Sequence, residues 1–203
     1  MVQYWYSGTM GGTALAEVLF GDVNPSGKLP TTFPEKLEDT PAARFGEFPD
    51  GDTVRYNEGI YVGYRYYDTY EVEPQFCFGH GLSYTDFAYS DLSIETIEND
   101  GEEVKVAVSC TVQNTGAVKG SEAAQLYVPD KEASVPRPAK ELKGFQKVTL
   151  EPGESKTLVF ELKERDFSFY CVEDSCWKWE PGEFEILLGS SSRDIRLKGK
   201  VEL

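Results

Sequence analysis

A mainly β protein, an antiparallel sandwich carrying an N-terminal extension, is the fold this sequence predicts, and three observations carry the prediction. Residues 104–114, VKVAVSCTVQN, place Val104, Val106, Val108, Cys110 and Val112 on one face at a period of two, the signature of a half-buried strand. Turn signals recur between such runs: Asn99-Asp100-Gly101, Asn114-Thr115-Gly116, Glu151-Pro152-Gly153 and Glu180-Pro181-Gly182. Ahead of them, residues 21–54 carry Pro25, Pro30, Pro34, Pro41 and Pro49, which exclude long regular elements there by removing donors and restricting each preceding residue.

Taken in order, residues 1–20 open with an aromatic cluster and a glycine-rich turn. A short helix follows, with Ala14, Leu15, Val18 and Leu19 at helical spacing and Gly21 closing it. Residues 21–54 form a Pro/Gly-rich strap, expected to lie along a surface belonging to another domain. Residues 55–87 make a Tyr/Gly-rich connecting segment. Within it Ile60, Val62, Tyr64 and Tyr66 alternate with Tyr61, Gly63, Arg65 and Tyr67, a period of two that predicts a strand. The sandwich occupies residues 88–203, with strands expected at 90–96, 103–113, 122–129, 142–150, 156–162, 167–172, 176–180, 183–188 and 195–203.

The chain has 203 residues, enough for a substantial core, and its 40% hydrophobic and 13% aromatic content argues for a folded protein. A net charge of −15 repels nucleic acid and anionic membranes while remaining compatible with neutral sugars. There is no apolar run of about 18 residues to span a membrane. The opening MVQYWYSGTMGG lacks the basic start and apolar core of a signal peptide, which leaves localisation open. The cysteines, Cys77, Cys110, Cys171 and Cys176, make no metal signature, and no metal or cofactor is expected. Cys171 and Cys176 flank VEDS, a hairpin turn, where they are close enough either to bridge or to stay reduced.

Three long motifs in order, FGDVNPSGKLPTTFP (20–34), YNEGIYVGYRYYD (56–68) and FGHGLSYTDF (78–87), resemble the carboxy-terminal region of glycoside hydrolase family 3 β-glucosidases. The resemblance continues through NTG (114–116), QLYV (125–128), RPAKELKGFQKVTLEPGES (137–155) and PGEFEILLGSSS (181–192). It implies that residues 1–54 are the end of an α/β sandwich domain plus its strap, and that residues 88–203 are a fibronectin type III-like (immunoglobulin-like) β-sandwich. It also implies that the family's nucleophilic aspartate and acid/base glutamate lie in parts that this chain does not match. The function expected is then that of an accessory, structural portion of a β-glucosidase-like hydrolase, partnered by the catalytic domains of its parent and, weakly, by β-linked glucosides or oligosaccharides. Trp5, Tyr6 and the helix would lack their sheet partners, and that leaves two outcomes, packing onto the β-domain or a homodimer through the uncovered surface.

Two other functions remain open on the residues themselves. Autonomous carbohydrate binding would use aromatic faces and hydroxyl-bonding groups at Trp5, Tyr56, Glu58, Tyr64, Arg65, Trp177 and Trp179. Against it, the tyrosines equally suit a domain interface, and one tryptophan of the Trp177/Trp179 pair equally suits a sandwich core. Independent hydrolysis would use His80 as base with Ser83 or Ser90 as nucleophile, although no G-x-S-x-G elbow exists and GSSSR at 189–193 lacks its second glycine. Glu58 and Asp68 are the carboxylates a glycosidase reading would choose. Retaining hydrolysis needs them about 5 Å apart, whereas ten residues of extended strand separate them by about 33 Å.

Overall fold

In the computed structural model, which describes residues 1–46, 52–99 and 103–203, seven strands build the sandwich. One sheet consists of β3 (Phe87–Asn99), β4 (Val104–Asn114) and β7 (Ser155–Lys163), in the order β3-β4-β7. The other consists of β5 (Gly120–Val128), β6 (Glu141–Leu150), β10 (Glu183–Gly189) and β11 (Ile195–Glu202), in the order β11-β10-β5-β6. Every recorded pairing is antiparallel. The valine face of β4 is fully buried, and it meets Leu158, Phe160 and Leu162 of β7 and Leu126, Ile186 and Leu188 from the opposite sheet. Burying one such side chain contributes about 1.5–3 kcal/mol, so this layer is the main source of stability. The nine expected strand positions are all occupied by strands. Of the expected turns, Asp100 and Gly101 lie outside the described residues, as does Pro49 of the strap.

The corner between β4 and β5 is held by a buried side chain. Asn114 Oδ1 accepts from Thr85 Oγ1 at 2.6 Å and from the Gly116 N–H at 3.1 Å, while its amide donates to the carbonyls of Val118 and Leu150. Between β7 and β10 the chain makes a helical turn, α4 (Glu164–Phe167), and a small separate hairpin of β8 (Phe169–Cys171) and β9 (Cys176–Lys178). In its register Tyr170 faces Trp177 and Cys171 faces Cys176, both cysteines as free thiols.

The N-terminal extension contains the expected helix, α1 (Gly11–Phe20), closed by Gly21 in the left-handed conformation. It then runs through β1 (Phe33–Pro34), a 3-10 turn at Leu37–Asp39 and α2 (Pro41–Arg44), where Thr40 caps the helix by accepting from the Ala43 N–H. The strap is fastened to the β-sandwich: Asn24 donates to the Lys119 carbonyl, Lys28 pairs with Glu122 at 3.2 Å, and Lys147 donates to Ser26. Backbone bonds from Leu29 N–H to the His80 carbonyl and from Gly79 N–H to the Leu29 carbonyl tie it to the third resembling motif.

One expectation is corrected here: the tyrosine stretch is not a strand. Turns over 57–60 lead to α3 (Tyr64–Thr69), whose first residue follows Gly63 at φ +57°. Helical spacing brings Tyr66 and Tyr70 together at 5.2 Å, with Phe45 edge-on to both and the Arg44 guanidinium over the Tyr70 ring. That aromatic cluster has more to gain as a helix face than as an alternating strand, because Tyr66 and Tyr67 both become buried. A short strand, β2 (Pro74–Phe76), then pairs with β1 and returns the chain to the sandwich.

Candidate functional site

Helix α3 sits on the outer face of the four-stranded sheet, and the composition of β5 explains why that face is covered. Strand β5 is buried on both sides: Leu126 faces the core, while Tyr127 on the opposite side is equally hidden. Tyr64 meets Tyr127 edge-on at 5.8 Å and stacks on Phe78 at 4.8 Å. Its hydroxyl accepts from the Leu142 N–H at 2.8 Å. Gly79 closes the layer with φ +79°, and a Cβ there would fall 2.3 Å from Gln125 Oε1, so only glycine fits without displacing Gln125.

Two ionic clusters lock α3 in place. Asp68, 5% exposed, accepts the Arg193 Nε–H at 2.8 Å on Oδ1, and its Oδ2 forms an ion pair with Lys140 Nζ at 3.1 Å without a hydrogen bond. The same guanidinium donates to the carbonyls of Tyr67 and Val72 and to Glu73. In the second cluster Glu141 takes Arg65 at 3.0 Å, Arg137 at 2.5 Å and Lys143 at 3.6 Å, and Arg137 reaches on to Asp130 at 3.1 Å. Burial works to raise the Glu141 carboxyl, but the combined attraction of Lys143, Arg137 and Arg65 outweighs it and holds the group below the usual carboxylate range. For Asp130 burial wins over Arg137 and the group is raised, while burial lowers Lys143. The Tyr89 hydroxyl, buried and donating to Glu122, is pushed far up. Burial takes the Cys110 thiol to about 11, which leaves it inert at neutral pH.

A concave site of about 310 Å³ lies beside this layer, lined by Pro30, Thr31, Thr32, Val62, Gly63, Tyr64, Arg65 and Phe78. It gathers two of the residues the sequence singled out, Tyr64 and Arg65, and adds Thr32, whose buried hydroxyl oxygen has no partner. Both rings there are already stacked on one another, and the guanidinium is engaged with Glu141. The other candidates are elsewhere. Trp5 is 54% exposed, with its ring edge-on to Phe33 at 6.5 Å, and Tyr56 is 81% exposed. Glu58 is half-buried, with Oε2 hidden and unpartnered. Trp177 stands on the β8–β9 hairpin with the Arg165 guanidinium against its ring face, while Trp179 packs on the core.

Neither hydrolytic constellation is assembled. Asp68 is consumed by Arg193 and Lys140. Ser83 Oγ donates to Asn24 Oδ1 at 3.0 Å, Ser90 Oγ donates to Asp91, and no hydrogen bond links either hydroxyl to His80 among the described residues. His80 instead ends an aromatic row, its ring 5.4 Å from Phe76, which lies 6.3 Å from Phe33. Sequence reasoning missed the residues that organise this region, Arg193, Lys140, Phe33 and Phe76. Only the alternation of PQF and FP around their prolines hinted at the short β1–β2 pair.

The most extensive feature of the extension is apolar and uncovered. Tyr6, Met10, Leu19, Phe20 and Val23 are exposed, as are Leu37, Val54, Tyr56, Ile60 and Val62, with Leu82 and Tyr84 nearby in sequence to His80. Phe20 is 85% exposed although it ends a helix, and a helix of this length gains little stability from propensity alone. The helix is nonetheless tied to the rest, since the Tyr84 hydroxyl donates to the Val18 carbonyl at 2.6 Å.

Residues 1–64 match the glycosyl hydrolase family 3 C-terminal domain and residues 122–192 match the fibronectin type III-like domain. The chain is 51% identical to thermostable β-glucosidase B of Acetivibrio thermocellus over its whole length, and 50% identical over 97% of its length to a β-glucosidase of Bacteroides ovatus. It spans 27% and 26% of those two proteins. Among solved structures, a family 3 β-glucosidase of Bifidobacterium adolescentis superposes on 95% of the chain with a TM-score of 0.89 at 42% identity, using 28% of its own length. The β-glucosidase 3B of Thermotoga neapolitana, in complex with α-D-glucose, covers 98% with a TM-score of 0.88 at 44% identity, using 27% of its length.

Proposed function

The chain belongs to glycoside hydrolase family 3, as part of its carboxy-terminal region, and on that premise we propose that it is the structural, non-catalytic portion of a β-glucosidase-like enzyme. Its task is to dock onto the catalytic domains through the apolar side chains that residues 1–46 and 52–62 leave exposed, and to hold them around a β-linked glucoside. The single observation that carries this reading is the combination of those side chains with their rigid mounting. Leu19 and Phe20 of α1 and the preceding Tyr6 are open to solvent, yet α1 is tied down through Tyr84, and the strap that follows it is held to the sandwich through Lys28–Glu122 and Asn24. So many large apolar side chains left exposed along one segment suit a surface that another domain covers. In isolation the same side chains make the chain self-associate.

The test is a hydrolysis screen of the purified chain on chromogenic β-glucosides and β-xylosides, run beside a full-length family 3 β-glucosidase. The chain alone is expected to give no turnover above the uncatalysed rate. Turnover at an enzymatic rate, abolished by a single substitution within residues 1–203, would overturn the non-catalytic reading.

A further inference from the structure

We propose that Cys171 and Cys176 form a dithiol site on the β8–β9 hairpin that exchanges with external disulfides and closes into an intrachain disulfide. The two residues are direct cross-strand partners. Opposed residues in an antiparallel pair have Cα atoms about 4.5 or 5.5 Å apart, and both spacings fall inside the range of about 4.4–6.8 Å that a disulfide spans. Both thiols are free, Cys176 exposed and Cys171 half-buried, so a soluble disulfide reaches Cys176 first.

The surroundings favour exchange. Cys171 Sγ donates to Asp174 Oδ2 at 3.1 Å, and Lys178 pairs with that same carboxylate, bringing a cation to the turn. Lys178 is held protonated first by the Asp174 hydrogen bond and also by the proximity of both sulfurs. The thiolate is the attacking species in such an exchange. The turn itself is preset, with Ser175 in the left-handed region at φ +53°. Cys110 is buried in the core and Cys77 donates to Ser191, so neither competes for Cys176.

The chemistry balances with oxidised glutathione as oxidant. The Cys176 thiolate attacks one glutathione sulfur, breaking its S–S bond and releasing one glutathione thiolate. The Cys171 thiolate then attacks the Cys176 sulfur of the mixed disulfide and releases the second. Two protein thiols are oxidised, one glutathione disulfide is reduced to two thiols, and the two protons leave with them.

The experiment is incubation of the whole folded chain with oxidised glutathione, alkylation of remaining thiols, and mass spectrometry of the tryptic peptide 166–178, which contains both cysteines. The expected result is an unalkylated peptide about 2 Da lighter than the reduced one, reversed by dithiothreitol. Cys171→Ser is expected instead to retain glutathione on Cys176, since the resolving thiol is gone. A wild-type peptide that keeps both alkylated thiols, or that accumulates glutathione without closing, overturns the proposal.

Discussion

Replacing Arg193 by alanine removes a side chain that joins the β10–β11 turn to helix α3 and the turn after it at four points. It takes away the Nε–H bond to Asp68 at 2.8 Å, the contact with Glu73, and two N–H donations to the carbonyls of Tyr67 and Val72. Asp68 keeps Lys140 but remains 5% exposed with half its compensation gone. Breaking a buried ion pair by deleting one partner costs about 3–5 kcal/mol, because the remaining charge stays desolvated. Arg193 is itself 26% exposed, so water replaces part of what is lost and the low end, about 3 kcal/mol, applies. With a guanidinium slope of about 3–6 kcal/mol/M for a chain of this size, the unfolding midpoint falls by about 0.5–1 M. Tryptophan fluorescence during guanidinium titration reads this directly, and hydrogen exchange is expected to rise first across residues 64–76. Arg193→Lys rescues little, since an ammonium cannot reproduce the fork that serves a carboxylate and two carbonyls at once. A midpoint change under about 0.1 M in Arg193→Ala would refute the idea that this clamp mounts α3.

Further consequences concern the same layer. Gly79→Ala meets both a left-handed backbone and the Gln125 amide, and is expected to destabilise the protein by about 1–3 kcal/mol in the same titration. Glu141 has a folded-state value below its ordinary 4.5, so its contribution is present above that pH and is lost as the pH falls through the lower folded value. Urea midpoints measured from pH 7 down to pH 3 are therefore expected to drop for the wild type on the acid side of about 4.5, and Glu141→Gln to remove that component of the drop while costing about 2 kcal/mol at neutral pH. Closing the Cys171–Cys176 site is expected to slow exchange of the hairpin amides in residues 169–178 without changing the sandwich core.

How much of this was legible in the sequence depended on where each side chain finds its partner. The sandwich strands could be read because inward residues of β4, β7 and β10 are apolar and most outward ones polar, with exceptions such as Val159 and Leu187, a pattern written within each strand. Helix α3 was hidden because tyrosine favours strands and YVGYRYYD satisfies a period of two as well as a helical one. Tyr66 and Tyr70 at a spacing of four were the helical signal, and Phe45 and Arg44, on another segment, decide between them. The strap's attachment to the sandwich could not be read, because proline content shows only what a segment cannot form. Its partners, Glu122 for Lys28 and Lys119 for Asn24, are about a hundred residues away. Of the site candidates, Tyr64 and Arg65 came together while Trp177 and Trp179 separated, because β9 ends at Lys178 and Trp179 turns into the core. GSSSR was weighed only as a nucleophile elbow, and nothing local marks the bond of its Arg193 to Asp68, 125 positions away.

The account turns on whether the exposed apolar side chains of residues 1–46 and 52–62 complete a catalytic partner. Thermostable β-glucosidase B of Acetivibrio thermocellus, truncated to remove the region this chain matches, supplies that partner, and chromogenic β-glucoside hydrolysis is measured with and without added chain. The prediction is that the truncated enzyme is inactive alone, regains turnover with the wild-type chain, and fails to regain it with a Leu19→Asp, Phe20→Asp double variant whose sandwich is still folded. Equal recovery with that variant, or no recovery with the wild-type chain while the two proteins are both folded, would contradict it.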